Sequence, residues 1–380
     1  MTAARMSATQ TRSGPTAVLV GGVSNSRGSR RAEHVETLTQ LAETAWAVDG
    51  NAERAIRFAR QAAPALPQPG GSGTRALFDG LATVAAADLT AARVLEAHTD
   101  ALAILQQSPE GLPPTHAAPG LTTAGSASWG VFAAEGPGMR VSATRAGAGW
   151  QLTGRKPWCS LAGSLSHALV TAHTSPEGEQ PARRRLFAVD LADAGVTVHD
   201  DTWFATGLSQ VPSGPVDFNA VVATPVGDDG WYLSRPGFSW GGIQVAACWW
   251  GGAVGVARQL RHAAQEREPD QILRAHLGAV DLALVGAGAA LNDAAAAIDR
   301  GEAVGEAGGL LAARVRGLVA RTVDEVLGRV GHALGPAPLA LDARHARRVA
   351  DLTLYVRQHH AERDDAALGG RLLAGEAGSW

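Results

Sequence analysis

The spacing of apolar and polar positions changes character twice along the chain. From Ala32 to about Gln107 it is helical. His34–Val48 carries Val35, Leu38, Leu41 and Ala45 on one face, Ala52–Ala63 continues the pattern, and Pro64–Gly73 breaks it. Leu77–Ala87 and Leu89–Gln107 follow, with Asp88 standing where an N-cap belongs. Ser108–Ser128, rich in Pro, Gly, Thr and Ala, reads as a connecting loop. The next hundred or so residues alternate. Val131–Ala134, Met139–Ala143, Gln151–Arg155, Ser166–Ala172, Arg185–Val189, Val196–His199 and Val216–Val222 read as short strands between turn signals, which predicts a small antiparallel barrel or sandwich. After Arg235-Pro236-Gly237 the helical period returns in Trp240–His262, Ile272–Arg300, Leu310–Val330 and Asp342 to about Leu368. Ile272–Arg300 is apolar around most of its circumference, so it belongs inside a bundle or a subunit interface. The expected fold is multidomain α+β. Residues 1–30 are expected to be disordered, 31–128 to form an N-terminal α-helical domain, 129–235 a middle antiparallel β-barrel or sandwich, and 236–380 a C-terminal four-helix bundle.

One strand carries the most chemistry. In Gly149–Ala162, GWQLTGRKPWCSLA, residues Trp150, Leu152 and Gly154 fall on one side and Gln151, Thr153 and Arg155 on the other. Pro157 then removes an amide donor and ends regular pairing. Trp158, Cys159 and Ser160 follow: a flat ring, a soft residue and a hydroxyl, a set suited to the face and edge of a flat heteroaromatic ligand. His98, between Glu96 and Asp100, reads as a packing or capping residue of its helix.

This segment resembles the flavin-contacting strand of the acyl-CoA dehydrogenase family, G-x-K-x-W-[IC]-[ST], and the helical, β, helical order over residues 32–370 matches that family's plan. The resemblance implies FAD lying between the β domain and the C-terminal bundle. Trp158 would pack on the flavin ring and Ser160 would bond near its N5 or O4. Phe132 and Ala134, within Phe132–Gly138 in the place of the family's T-E-P-G-x-G, would supply backbone contacts to the pyrimidine side. In that segment Ala134 replaces a hydroxyl residue. Gly328 and Gly331 are what survives of a dinucleotide-contacting Q-x-x-G-G-x-G, in which Glu325 replaces Gln and Arg329 the middle Gly. A Glu there is electrostatically unfavourable beside a pyrophosphate.

The family's catalytic base is a Glu, and aligning Arg348–Val356 with its R-D-A motif puts Arg357 in that place. Arginine cannot accept a proton at ordinary pH. Arg357 would line the substrate side, His359 would occupy a position that contacts FAD in the family, and His360 is a further group able to titrate near neutrality. The resemblance thus implies a flavin oxidoreductase, with α,β-dehydrogenation of an acyl thioester or related carbonyl compound as the first expectation. A monooxygenase using reduced FMN or FAD from a separate reductase is the alternative, and a non-catalytic descendant a third. A homodimer or homotetramer, and a flavin reductase or electron-transfer partner, are the implied assemblies.

Composition narrows this further. Net charge is −3, with 46% hydrophobic and 18% charged residues, which offers no electrostatic footprint for nucleic acid. Cys159 and Cys248 fit a reduced compartment and lack companions at metal-ligand spacing. No unbroken apolar run reaches about 20 residues. The early run Ala17–Val23 is too short and Gly-rich for a secretory core, so no membrane and a cytoplasmic location are expected. Gly21–Ser26 lacks the spacing of a dinucleotide loop.

Overall fold

The computed structural model describes residues 15–21, 29–109, 127–266 and 268–375. Most of the expected disordered terminus, of the Gly21–Ser26 stretch and of the loop 108–128 lies outside them. Pro15–Gly21, within the stretch expected to be disordered, is instead packed in the helical core. Val18 and Val20 are buried there, and their amides donate to the Thr83 hydroxyl (2.9 Å) and the Asp79 carboxylate (2.6 Å). Alternate apolar residues with buried acceptors for the backbone suffice to order so short a segment.

The N-terminal helices are α1 (Ser29–Trp46), α2 (Ala52–Ala62), α3 (Thr74–Ala87) and α4 (Leu89–Gln107). Asn51 and Asp88 cap α2 and α4, accepting from the amides of Arg54 and Ala91. The β region contains β1 (Trp129–Phe132), β2 (Val141–Ala146), β3 (Gly149–Lys156), β4 (His167–His173), β5 (Arg184–Asp190), β6 (Val196–Val198) and β7 (Val216–Val226). The second helical region contains α5 (Trp231–Ser234), α6 (Gly237–Glu266), α7 (Gln271–Asp299), α8 (Gly305–Leu334), α9 (Ala337–Leu341), α10 (Ala343–Tyr355) and α11 (Glu362–Leu373).

The seven strands form one sheet in the order β1-β4-β2-β3-β7-β5, with β5 returning to pair β4 and β6 added on β7. It closes as a barrel, but not a purely antiparallel one: β1 and β2 both pair parallel with β4. The chain can do this because β1 and β4 are linked through the long excursion β2–β3 rather than by a hairpin. Phe132, Leu152, Val170, Phe187, Val216 and Phe218 fill the interior. Each such side chain removed from water contributes roughly 1.5–3 kcal/mol.

Two contacts set the barrel on the helices. His98 of α4 accepts the Trp129 amide on Nδ1 (3.3 Å), and burial pulls its pKa down to about 4, so it is a neutral packing residue. The loop before β7 docks on α10: the Leu208 amide donates to the Asp351 carboxylate (2.6 Å), and a methyl group on Gly207 would lie 2.1 Å from the Ala350 carbonyl. Only glycine permits that approach.

The last predicted helix is two. Tyr355 ends α10, Val356–Gln358 forms a 3-10 turn, His359 is extended, and α11 starts after Ala361 at φ +48°. Arg316 of α8 donates to the Gln358 carbonyl (3.1 Å) at the end of that turn. Among the described residues α7 alone is long and apolar enough to cross a membrane by length and composition, although Arg274 and Asp281 interrupt its apolar run. It packs in the bundle through Leu273, Val280, Ala287, Leu291 and Ile298, and leaves Ile272, Leu282 and Val285 exposed.

Candidate active site

The site grows from the end of β3. Gly154 sits at φ +126° beside a register shift against β7, where a side chain would strike the Arg140 carbonyl. Two residues later the alternation turns Lys156 inward, with 2% exposure. Its ammonium donates to the Glu135 carboxylate (2.7 Å) and the Thr171 hydroxyl (2.8 Å). Burial lowers the Lys156 pKa while Glu135 opposes the shift. Glu135 is itself held low, its own partial burial being outweighed by Lys156 and Arg184. The pair joins the chain after β1 to the end of β3, the two segments expected to meet a flavin ring.

Beyond Pro157 the backbone is strained. Trp158 and Leu161 both stand at φ +59°, a region that bulky residues enter only when their surroundings impose it. The surroundings are visible: the Cys159 amide donates to the Gly214 carbonyl (3.0 Å) and the Leu161 amide to the Pro212 carbonyl (2.7 Å). Cys159 is buried, its thiol pushed up to about 12 by burial, so it acts as a packing residue. The Trp158 ring is thrown outward and is 62% exposed. Ser160 Oγ lies 2.8 Å from Ser213 Oγ and accepts from Arg93 Nη2 of α4 (3.2 Å). Phe132, Trp129, Arg93, Ser160 and Val211 line one narrow cleft here.

Behind Ser160 lies a buried polar cluster that the sequence did not disclose. Arg93 Nη1 meets the Glu96 carboxylate at 3.2 Å, and its guanidinium stands 5.8 Å over the Tyr355 ring. The Tyr355 hydroxyl donates to Glu96 (3.4 Å), and Trp249 of α6 meets Tyr355 edge-on. Arg316 covers Trp249 at 4.7 Å and donates to the Gly242 carbonyl (2.9 Å). Burial pushes the Glu96 carboxyl up to about 7; Arg93 opposes and Asp100 adds to the rise. Glu96 can therefore hold or release a proton near neutrality. The available signal was the Arg93/Glu96 pair, three residues apart on one helix.

The other expected residues are distributed as follows. The Phe132 ring lies inside the barrel core, leaving only its backbone for a ligand, whereas Ala134 is exposed. His359 is buried, accepts the Ala361 amide on Nδ1 (3.2 Å) and has its pKa lowered by burial, with Asp364 opposing. Arg357 faces outward and is ion-paired with Asp324 on the exposed side of α8. His360 is exposed and bonded to Asp364 (3.3 Å). Neither is brought into the cluster around Ser160; Tyr355, two residues before Arg357, turns in instead. Gly328 and Gly331 are exposed on α8 with nothing within 4 Å of where a side chain would start, and Glu325 and Arg329 pair with each other (2.8 Å). An exposed ring, a hydroxyl pair and a guanidinium are groups that an isoalloxazine could use, although Trp158 does not line the cleft at Ser160. The α8 glycines form no cradle within this chain for the second nucleotide of FAD.

No family model and no curated protein sequence matches the chain. Solved structures do. The FMN-bound form of TdsC, a dibenzothiophene monooxygenase from Paenibacillus sp. A11-2, superposes with TM-score 0.75 at 20% identity over 90% of this chain and 98% of that one. A nitrososynthase from Micromonospora carbonacea var. africana gives 0.72 at 18% identity over 91% and 97%. An electron-transferring flavoprotein of Acidaminococcus fermentans gives 0.76 at 15% identity over 92% and 99%. At these identities the likeness establishes the fold alone: the chain shares the architecture of these structures.

Proposed function

We propose that the chain is a flavin-dependent oxidoreductase and, within that class, a monooxygenase taking reduced flavin mononucleotide from a separate reductase. The observation that carries this reading is the outward Trp158 ring beside the Ser160–Arg93 pair, on a chain whose aligned base position is a surface arginine. TdsC is solved with FMN and indole, and this fold is seen there around a mononucleotide. When bound, reduced flavin would supply the two electrons that split dioxygen, one atom entering the substrate and the other leaving as water. The chain's part is positional and electrostatic. Trp158 covers one ring face, Ser160 and Ser213 offer hydroxyls to its polar edge, and Arg93 sets a fixed positive charge against developing negative charge. Glu96, bonded to Tyr355, stores or supplies the proton that water formation consumes.

One observation favours a second reading, dehydrogenation of an acyl thioester bound with FAD: Glu96 is a buried carboxylate with its pKa near neutrality, the property required of the missing base. The visible spectrum separates the two. Protein purified without added flavin is expected to be nearly colourless, to gain flavin bands when FMN is supplied, and to keep them on anaerobic addition of short acyl-CoAs. Copurified flavin bleached by a thioester would replace the first reading with the second.

We also propose that α7 meets a second copy of the chain, since Ile272, Leu282 and Val285 stand exposed on one long helix, beside exposed Arg274 and Asp281. Light scattering should find a dimer or tetramer that Leu282→Glu shifts to monomer; a monomeric parent protein would remove the proposal.

A further inference from the structure

A cavity of about 290 Å³ lies between the N-terminal segment, α6 and the start of α10, and shares no lining residue with the cleft at Ser160. Arg258, Arg261, Arg344 and Arg348 line it, together with His345 and Trp46. Asp342 is the one carboxylate in its wall, and it caps α10 by accepting the amides of Arg344 and His345. Arg344 is shared with Asp49 (2.8 Å) and lies 3.8 Å over the Trp46 ring. Arg258 donates to the carbonyls of Thr16 (3.0 Å) and Ala17 (3.1 Å), and Arg348 to that of Ala87 (3.4 Å). Of the nearby acids, Glu266 pairs with His262 (3.0 Å), Asp49 also holds Arg347 (2.6 Å), and buried Asp88 meets Arg347 (3.7 Å) and acts on Arg348. Buried His345 has an Nδ1 with no hydrogen-bond partner.

Four arginines line one space, with Asp342 in its wall and Asp49 and Asp88 nearby. Burial, then the field of Arg344, lower the Arg348 pKa to about 10, with Arg258 adding and Asp88 and Asp342 opposing. Guanidiniums drawn from two helices around one cavity suit an oxyanion with several acceptor oxygens. The cavity exceeds one phosphate and leaves room for a small body attached to it.

We propose that this cavity binds a phosphate-bearing small anion, held by Arg258, Arg261 and Arg348. The site is separate from the flavin site, and it is tested without flavin. Flavin-free protein is titrated calorimetrically with inorganic phosphate, with ADP and with succinate, at constant ionic strength set by chloride. Saturable binding of phosphate or ADP is expected, accompanied by a rise in melting temperature. Tighter binding of ADP would identify a nucleotide, and equal binding the free anion. Arg261→Glu, at an exposed position, should weaken binding by about tenfold or more, and Arg348→Lys, which keeps charge but loses the planar fork, should weaken it less. No saturable response to phosphate or ADP, saturation by succinate alone, or an unchanged Kd in a folded Arg261→Glu protein would overturn the proposal.

Discussion

Trp158→Ala should raise the Kd for flavin mononucleotide by about tenfold to a hundredfold while leaving the melting temperature of the free protein nearly unchanged. The two halves of that expectation share one cause. The ring is mostly exposed in the free protein, so it contributes little packing to the fold. Its area becomes buried only when something flat lies on it. Stacking of a base on an aromatic ring is worth roughly 1–3 kcal/mol, and about 1.4 kcal/mol is a decade in affinity. The backbone carbonyls of Pro212 and Gly214 fix the strained turn independently of the indole, so the loop should persist in the variant. Fluorescence quenching of oxidised flavin measures the Kd. An unchanged value would move the flavin off Trp158.

Glu96→Gln should abolish a pH dependence of stability amounting to about 3 kcal/mol. The folded pKa is about 7, against 4.5 for an ordinary glutamate. Below the unfolded pKa both states hold the proton and burial exacts no charge penalty. As pH rises from there to the folded pKa, the unfolded chain releases its proton while the folded chain retains it, so stability falls. Above the folded pKa the loss is complete. Glutamine keeps the shape and the bond to Tyr355 but never ionises. Urea unfolding of both proteins at intervals across this range gives the difference directly, which cancels the slopes of Asp88, Asp100 and Asp351, also raised by burial. Equal slopes in the two proteins would show that Glu96 ionises normally and would remove it as a proton store.

What could be read from the sequence is what the chain writes contiguously. Trp158 and Ser160 stand in one strand end, and the period of alternation put Lys156 on the same side as Leu152, where it is buried. The helix capped by Asp88 was equally legible. The polar cluster was not, because Glu96 and Tyr355 are 259 positions apart and meet only once α4 and α10 pack. Arg357 lies on the surface for a related reason. A sequence alignment gives it the base position, but α10 ends at Tyr355, which faces inward, and from the turn that follows Arg357 reaches Asp324. The parallel pairing of β1 with β4, likewise, depends on which strands close a barrel, a choice that local alternation does not encode.

The most direct test of the flavin reading is stopped-flow absorbance of anaerobically reduced FMN mixed with oxygenated buffer, with and without the protein in excess. The account predicts that the protein changes the course of reoxidation, and that Trp158→Ala returns it to that of free flavin. Identical traces with and without the wild-type protein, at concentrations where the oxidised flavin is shown to bind, would contradict the use of reduced flavin as a cosubstrate.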